Sequence, residues 1–156
     1  MPTPSKSKNG KKSFFSPKLI LAQIVALQCY HYFTLCLLYQ VITIFSSSSP
    51  TLVNILGTER LSFGSVQGIM DCMVVVAGYV ANTVGLYLVV KKSAKCLDFT
   101  ITLLIFHLLS TIIYTGGFPT SWEWWIINVV GGLVMVLGGE WVCSRAELRD
   151  IPSLLG

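Results

Sequence analysis

The chain has 156 residues, a formal net charge of +4, and only 12% charged residues against 53% hydrophobic ones. With a mean hydropathy of +0.70, that composition lies far from ordinary soluble usage and argues for a single helical membrane domain. The positive excess is no nucleic-acid footprint, because Lys6, Lys8, Lys11, Lys12 and Lys18 carry it in one short stretch, and no nucleic-acid partner is expected.

Residues 1–16, rich in Ser, Lys, Pro and Gly, are expected to form a disordered basic tail that touches anionic lipid weakly. Apolar runs follow at about 19–45, 66–90, 97–114 and 123–143. A run of about 20 such residues crosses the hydrocarbon layer as a helix, since its backbone groups must pair internally where there is no water. The expected fold is therefore all-α, a bundle of four transmembrane helices over residues 17–143, with 144–156 as a short tail. The first run is too long for a signal-peptide core and lacks a cleavage site, so it is expected to remain as an anchor. Residues 46–50 read as a turn or flexible loop.

Charge sets the orientation. Five lysines precede the first run, Arg60 stands in the first gap, Lys91, Lys92 and Lys95 in the second, and Arg145 and Arg149 follow the last run. Basic residues collect on the cytosolic side, so both termini and the 91–95 loop are expected to be cytosolic. Trp122, Trp124 and Trp125 at one end of the last run and Trp141 near the other read as interface anchors, with Tyr114 and Phe118 extending the belt.

Polar and small residues inside the spans mark packing faces. Gln23, Gln28 and His31 share an arc of about 140°, and Gly68, Asp71, Gly78, Asn82 and Gly85 one of about 100°, at 3.6 residues per turn. Asn128, Gly132, Met135 and Gly139 follow the same spacing in the last run. Small residues let backbones approach, and buried amides bridge helices; the glycine faces leave a homodimer open. Asp71, His107 and Glu140 are the intramembrane ionisable groups that a small solute or proton transporter would use. Spacing alone gives them no continuous path, with one central histidine and no internal repeat. Glu140, disfavoured near a helix C-terminus, is expected to pair with Lys91, Lys95 or Arg145.

Cys29, Cys36 and Cys72 fall within spans, while Cys96 and Cys143 lie at the cytosolic edge, read as interfacial positions where S-palmitoylation could occur. There is no C-x-x-C pair, metal-ligand cluster, catalytic carboxylate set or phosphate loop, so neither a cofactor, a metal nor an enzymatic reaction is expected.

General physics does not account for the run Lys95-Cys96-Leu97-Asp98-Phe99-Thr100, followed by Phe106-His107-Leu108-Leu109, Phe118-Pro119, Trp124-Trp125, Gly139-Glu140 and Cys143-x-Arg145-x-Glu147-Leu148-x-x-Ile151-Pro152. That order and spacing, with Pro17, Gln23-Ile24, Gln28 and Tyr32 earlier, resembles the Sys family of small four-pass Golgi membrane proteins. The resemblance implies a Golgi receptor that recruits an Arf-like or Arf-related small GTPase with an acetylated N-terminus to the trans-Golgi, in traffic between endosomes and Golgi. A short amphipathic helix in the headgroup layer could dock against the cytosolic helix ends. The rim expected to receive it is Lys95, Asp98, Glu140, Arg145 and Glu147.

Overall fold

A computed structural model describes residues 17–46 and 51–150; the expected basic tail, residues 47–50 of the expected turn or flexible loop, and the Ile151-Pro152 pair lie outside the described residues. The helices are α1 (Pro17–Ser46), α2 (Leu52–Leu56), α3 (Val66–Val89), α4 (Cys96–Thr115) and α5 (Trp122–Asp150), with a 3-10 turn at Ser93–Lys95. Four of them, α1, α3, α4 and α5, are long and apolar enough to cross a membrane. The five-residue α2, which hydropathy did not anticipate, sits in the α1–α3 connection against α1 and α4.

Local chemistry sets the ends. Ser65 caps α3, its hydroxyl accepting from the Gly68 amide at 3.0 Å, which satisfies one of the unpaired amides of a helix start. Gly116 closes α4 in the left-handed region at φ 71°, and its amide donates to Ile112 O at 2.9 Å, a conformation that costs a glycine least. The last helix runs beyond the expected end at 143, because Ser144 to Asp150 contains no proline or glycine and Arg149 suits the negative pole of its last turn. At 29 residues it is about 43 Å long, more than the hydrocarbon layer of about 30 Å.

The long helices alternate in direction. α3 packs between α1 and α5, while α4 packs on α5 and α1, so α1 and α4 run parallel to each other, as do α3 and α5. One end of the bundle, here the basic end, carries Lys91, Lys92, Lys95 and Arg145; the other carries Arg60.

Glycines position the helices. A side chain at Gly131 would strike the Tyr79 ring, at Gly138 the Thr83 hydroxyl at 2.9 Å and at Gly139 Leu86 Cδ1 at 2.6 Å, so α5 offers hollows that α3 fills. Gly132 faces Leu104 of α4 at 2.9 Å, and on α3 Gly78 and Gly85 receive Leu35 at 2.6 Å and Tyr30 at 2.7 Å from α1. Lipid is as apolar as these side chains, so association rests on such close packing and on hydrogen bonds between helices. The glycine faces expected from spacing are thus filled by the chain's own side chains.

Candidate functional site

Two polar regions stand out against the apolar bundle. In the first, midway along the spans, His31, Tyr79, Asn82, His107 and Asn128 converge, each at most 4% exposed. Asn82 donates to Gly78 O at 2.7 Å, and its amide nitrogen lies 2.8 Å from His31 Nδ1. With Nδ1 accepting, the proton sits on Nε2, which is buried and has no hydrogen-bond partner among the described residues. Tyr79 donates to Asn128 Oδ1 at 2.7 Å, and Asn128 Nδ2 donates to Trp124 O at 2.8 Å. Tyr32 reaches His107 Nδ1 at 3.4 Å.

Two features here depart from the sequence reading. The centre holds two histidines, not one: His31 and His107 meet edge to face with ring centroids 5.6 Å apart. Trp124 is no belt residue; it is 4% exposed and stacks on His107 with centroids 6.0 Å apart and an interplanar angle of 7°. Trp122 and Trp141 do face outward, 60% and 61% exposed. Neither Asp71 nor Glu140 is hydrogen-bonded to either histidine among the described residues.

Asp71 belongs to the Arg60 end. It is buried, Gln67 donates to Oδ1 at 3.5 Å, and Arg60 Nη1 lies 4.0 Å from Oδ2. The arginine in the connecting loop thus reaches back to the carboxylate one turn inside α3. Ser121 ties the same loop to the start of α5 by donating to Thr58 O at 3.1 Å. A cavity of about 480 Å³ beside it is lined by Val53, Thr58, Glu59, Arg60 and Tyr114, among others.

The second polar region is the rim at the basic end. Gln23 donates from α1 to Val89 O at 2.8 Å, satisfying a terminal carbonyl of α3. Gln28 makes a longer bond, 3.4 Å, to Leu103 O on α4. Glu147 accepts from the Ser93 hydroxyl at 2.8 Å and the Ser93 amide at 3.4 Å, clasping the 3-10 turn to α5.

The five expected rim residues are divided between the start of α4, with Lys95 and Asp98, and α5, with Glu140, Arg145 and Glu147. Lys95 and Asp98 stand at the start of α4, where Asp98 occupies the first turn and meets the positive helix pole. They line a groove of about 180 Å³ between α1 and α4 with Ile20, Ile24, Phe99 and Thr102. Glu147 is engaged by Ser93, while Glu140 and Arg145 are exposed residues of α5. The Arg145 guanidinium sits 4.7 Å from the centroid of the Trp141 ring. Cys96 and Cys143, expected as interfacial thiols, are both fully buried. The groove was missed because its apolar floor comes from α1, and only the motif around Asp98 hinted at it.

The helical architecture agrees with what known proteins say of the chain. The model of the SYS1 family, described as "Integral membrane protein S linking to the trans Golgi network", matches residues 10–153. A "Protein SYS1 homolog" from Nematostella vectensis is 33% identical over 146 residues, covering 94% of this chain and 92% of the relative. The Dictyostelium discoideum "Protein SYS1 homolog" is 34% identical over 91% of this chain and 61% of its own length. "Protein SYS1" of Saccharomyces cerevisiae is 25% identical, covering 90% of this chain and 69% of the relative. No solved structure matches. A match of this extent, on a chain whose four long apolar helices are arranged as an integral membrane bundle, means that it belongs to the SYS1 family of integral membrane proteins.

Proposed function

We propose that this protein is a receptor of the trans-Golgi membrane, with both termini in the cytosol, that recruits an Arf-like or Arf-related small GTPase and so supports vesicle traffic between endosomes and Golgi. The family match and the groove at the basic end support this reading. The groove pairs an apolar floor of Ile20, Ile24 and Phe99 with the polar edge of Lys95, Asp98 and Thr102. It lies where helix ends would meet the headgroup layer, and it has the chemistry to take an apolar side chain of an interfacial amphipathic helix. At about 180 Å³ it admits the tip of such a helix rather than its full length. An acetylated first residue suits it, because acetylation removes a charge that would need solvation there.

Proximity labelling from a tag on the full chain tests this. A Golgi-localised pool is expected to recover an Arf-type GTPase, and Asp98→Lys and Ile24→Trp are each expected to reduce that recovery at least tenfold with expression and localisation intact. A Golgi pool that labels no such GTPase removes the function, whereas recovery unaffected by both variants moves the docking site elsewhere. One observation favours a second reading, transport of a small solute or proton: His31 and His107 lie together, with His31 Nε2 and Asn82 Oδ1 buried and lacking a hydrogen-bond partner among the described residues. Flux through the purified protein in liposomes decides it.

A further inference from the structure

We propose that Cys96 and Cys143 are a redox-active dithiol, which hydrogen peroxide converts to an intramolecular disulfide that fastens the start of α4 to α5. This does not depend on GTPase recruitment. The two sulfurs are 3.9 Å apart, and both residues are fully buried. They belong to different helices, so the apposition is a product of packing.

Three features build the site. Gly139 lies one turn before Cys143 on the same face of α5, and a side chain there would sit 3.3 Å from Cys96 Sγ; its absence lets the sulfurs meet. Cys96 is the first residue of α4, directly after the Ser93–Lys95 turn, and its amide donates to Ser93 O. Glu147, one turn beyond Cys143, already holds that turn through Ser93 at 2.8 Å. A disulfide has an S–S length of about 2.05 Å, so the sulfurs at 3.9 Å need to approach by about 1.9 Å. Among the other described cysteines, Cys29 and Cys36 are exposed and Cys72 is buried, and Cys72 lies within α3, on the Arg60 half of the bundle.

The chemistry balances with one equivalent of peroxide. One thiolate attacks the O–O bond, giving a sulfenic acid and releasing hydroxide, which takes up the thiol proton as water. The second sulfur then attacks the sulfenic sulfur and displaces its hydroxyl, which leaves as a second water with the remaining proton. Two thiols lose two electrons and the peroxide gains them. Full burial favours a small uncharged oxidant over a bulky one such as oxidised glutathione. At the end of the bundle where the charge pattern predicts the cytosol, thiols are held reduced, so the dithiol is the resting form and the bond marks oxidative conditions.

The test uses the full-length protein in lipid nanodiscs, exposed to graded hydrogen peroxide, denatured, alkylated and digested for mass spectrometry without reductant. The expected product is the Cys96 peptide linked to the Cys143 peptide within one chain, reversed by dithiothreitol. A Cys29→Ser, Cys36→Ser, Cys72→Ser triple variant retains it, and Cys96→Ser abolishes it. Oxidation also raises the thermal unfolding midpoint of the intact protein by several degrees, and this shift is absent in Cys96→Ser. The proposal fails if Cys29 and Cys36 are consumed while Cys96 and Cys143 both remain alkylatable after denaturation. It fails equally if Cys96 or Cys143 links only between two chains or proceeds only to sulfinic acid. Because the linkage is read in the unmodified sequence, misfolding of a cysteine variant does not obscure the result.

Discussion

The two seams between parallel helices differ in kind. Between α3 and α5, Gly131, Gly138 and Gly139 are hollows that Tyr79, Thr83 and Leu86 occupy, and the tyrosine hydroxyl bonds across to Asn128 at 2.7 Å. Between α1 and α4, neither helix contains a glycine. Their side chains hold the backbones apart, the cross-seam Gln28 bond is long at 3.4 Å, and a groove remains at the basic end. Small residues decide where a membrane bundle closes. The seam without them stays open, and that is where an incoming apolar group finds room.

Substitutions can break or sharpen this contrast. The largest effect is expected from Gly131→Leu, which drives a side chain into the Tyr79 ring and should cost about 3 kcal/mol, read as a lowered unfolding midpoint in detergent. Arg60→Gln leaves the buried Asp71 without its 4.0 Å partner and should cost on the order of 1–3 kcal/mol. Adding Asp71→Asn should recover most of that loss, because the uncompensated carboxylate and not the pair is what destabilises. Tyr79→Phe removes the bond to Asn128 and should cost about 0.6 kcal/mol, the average for interhelical hydrogen bonds in membranes, and at most about 1.7 kcal/mol. Smallest is Asp98→Lys on the exposed edge of the open seam, expected to cost about 0.5–1 kcal/mol through the reversed charge at the helix pole. If unfolding of Asp98→Lys instead matched that of Gly131→Leu, the open seam would be as structural as the closed one.

Much of the membrane fold was legible along the chain. The four spans coincide with the long helices to within a few residues at most ends, because insertion depends on the summed hydropathy of a local segment. The stripes containing Gly78, Asn82, Gly132 and Gly139 are buried, since helical periodicity alone places them on one face. The end of α5 was less legible: residues 144–150 look like a polar tail by hydropathy, yet their helix propensity carries the helix on to Asp150.

The candidate sites were legible only in part. Lys95 and Asp98 were picked out by a motif, but their apolar partners Ile20 and Ile24 lie more than seventy residues earlier in the chain. Trp124 sits between Trp122 and Trp125 in sequence, and only its angular position on α5 turns it inward to His107.

By itself the sequence determined that the chain spans a membrane four times, which end is basic, and which faces are small or polar, because each is a property of a single segment. Only the tertiary structure decided that Tyr79 fills Gly131, that His31 meets His107, that Arg60 reaches Asp71 and that Cys96 lies against Cys143. Those pairings depend on which helices are neighbours and how each is rotated and shifted along its axis. In a bilayer these are set by close packing among side chains far apart in sequence, and hydropathy carries no record of it.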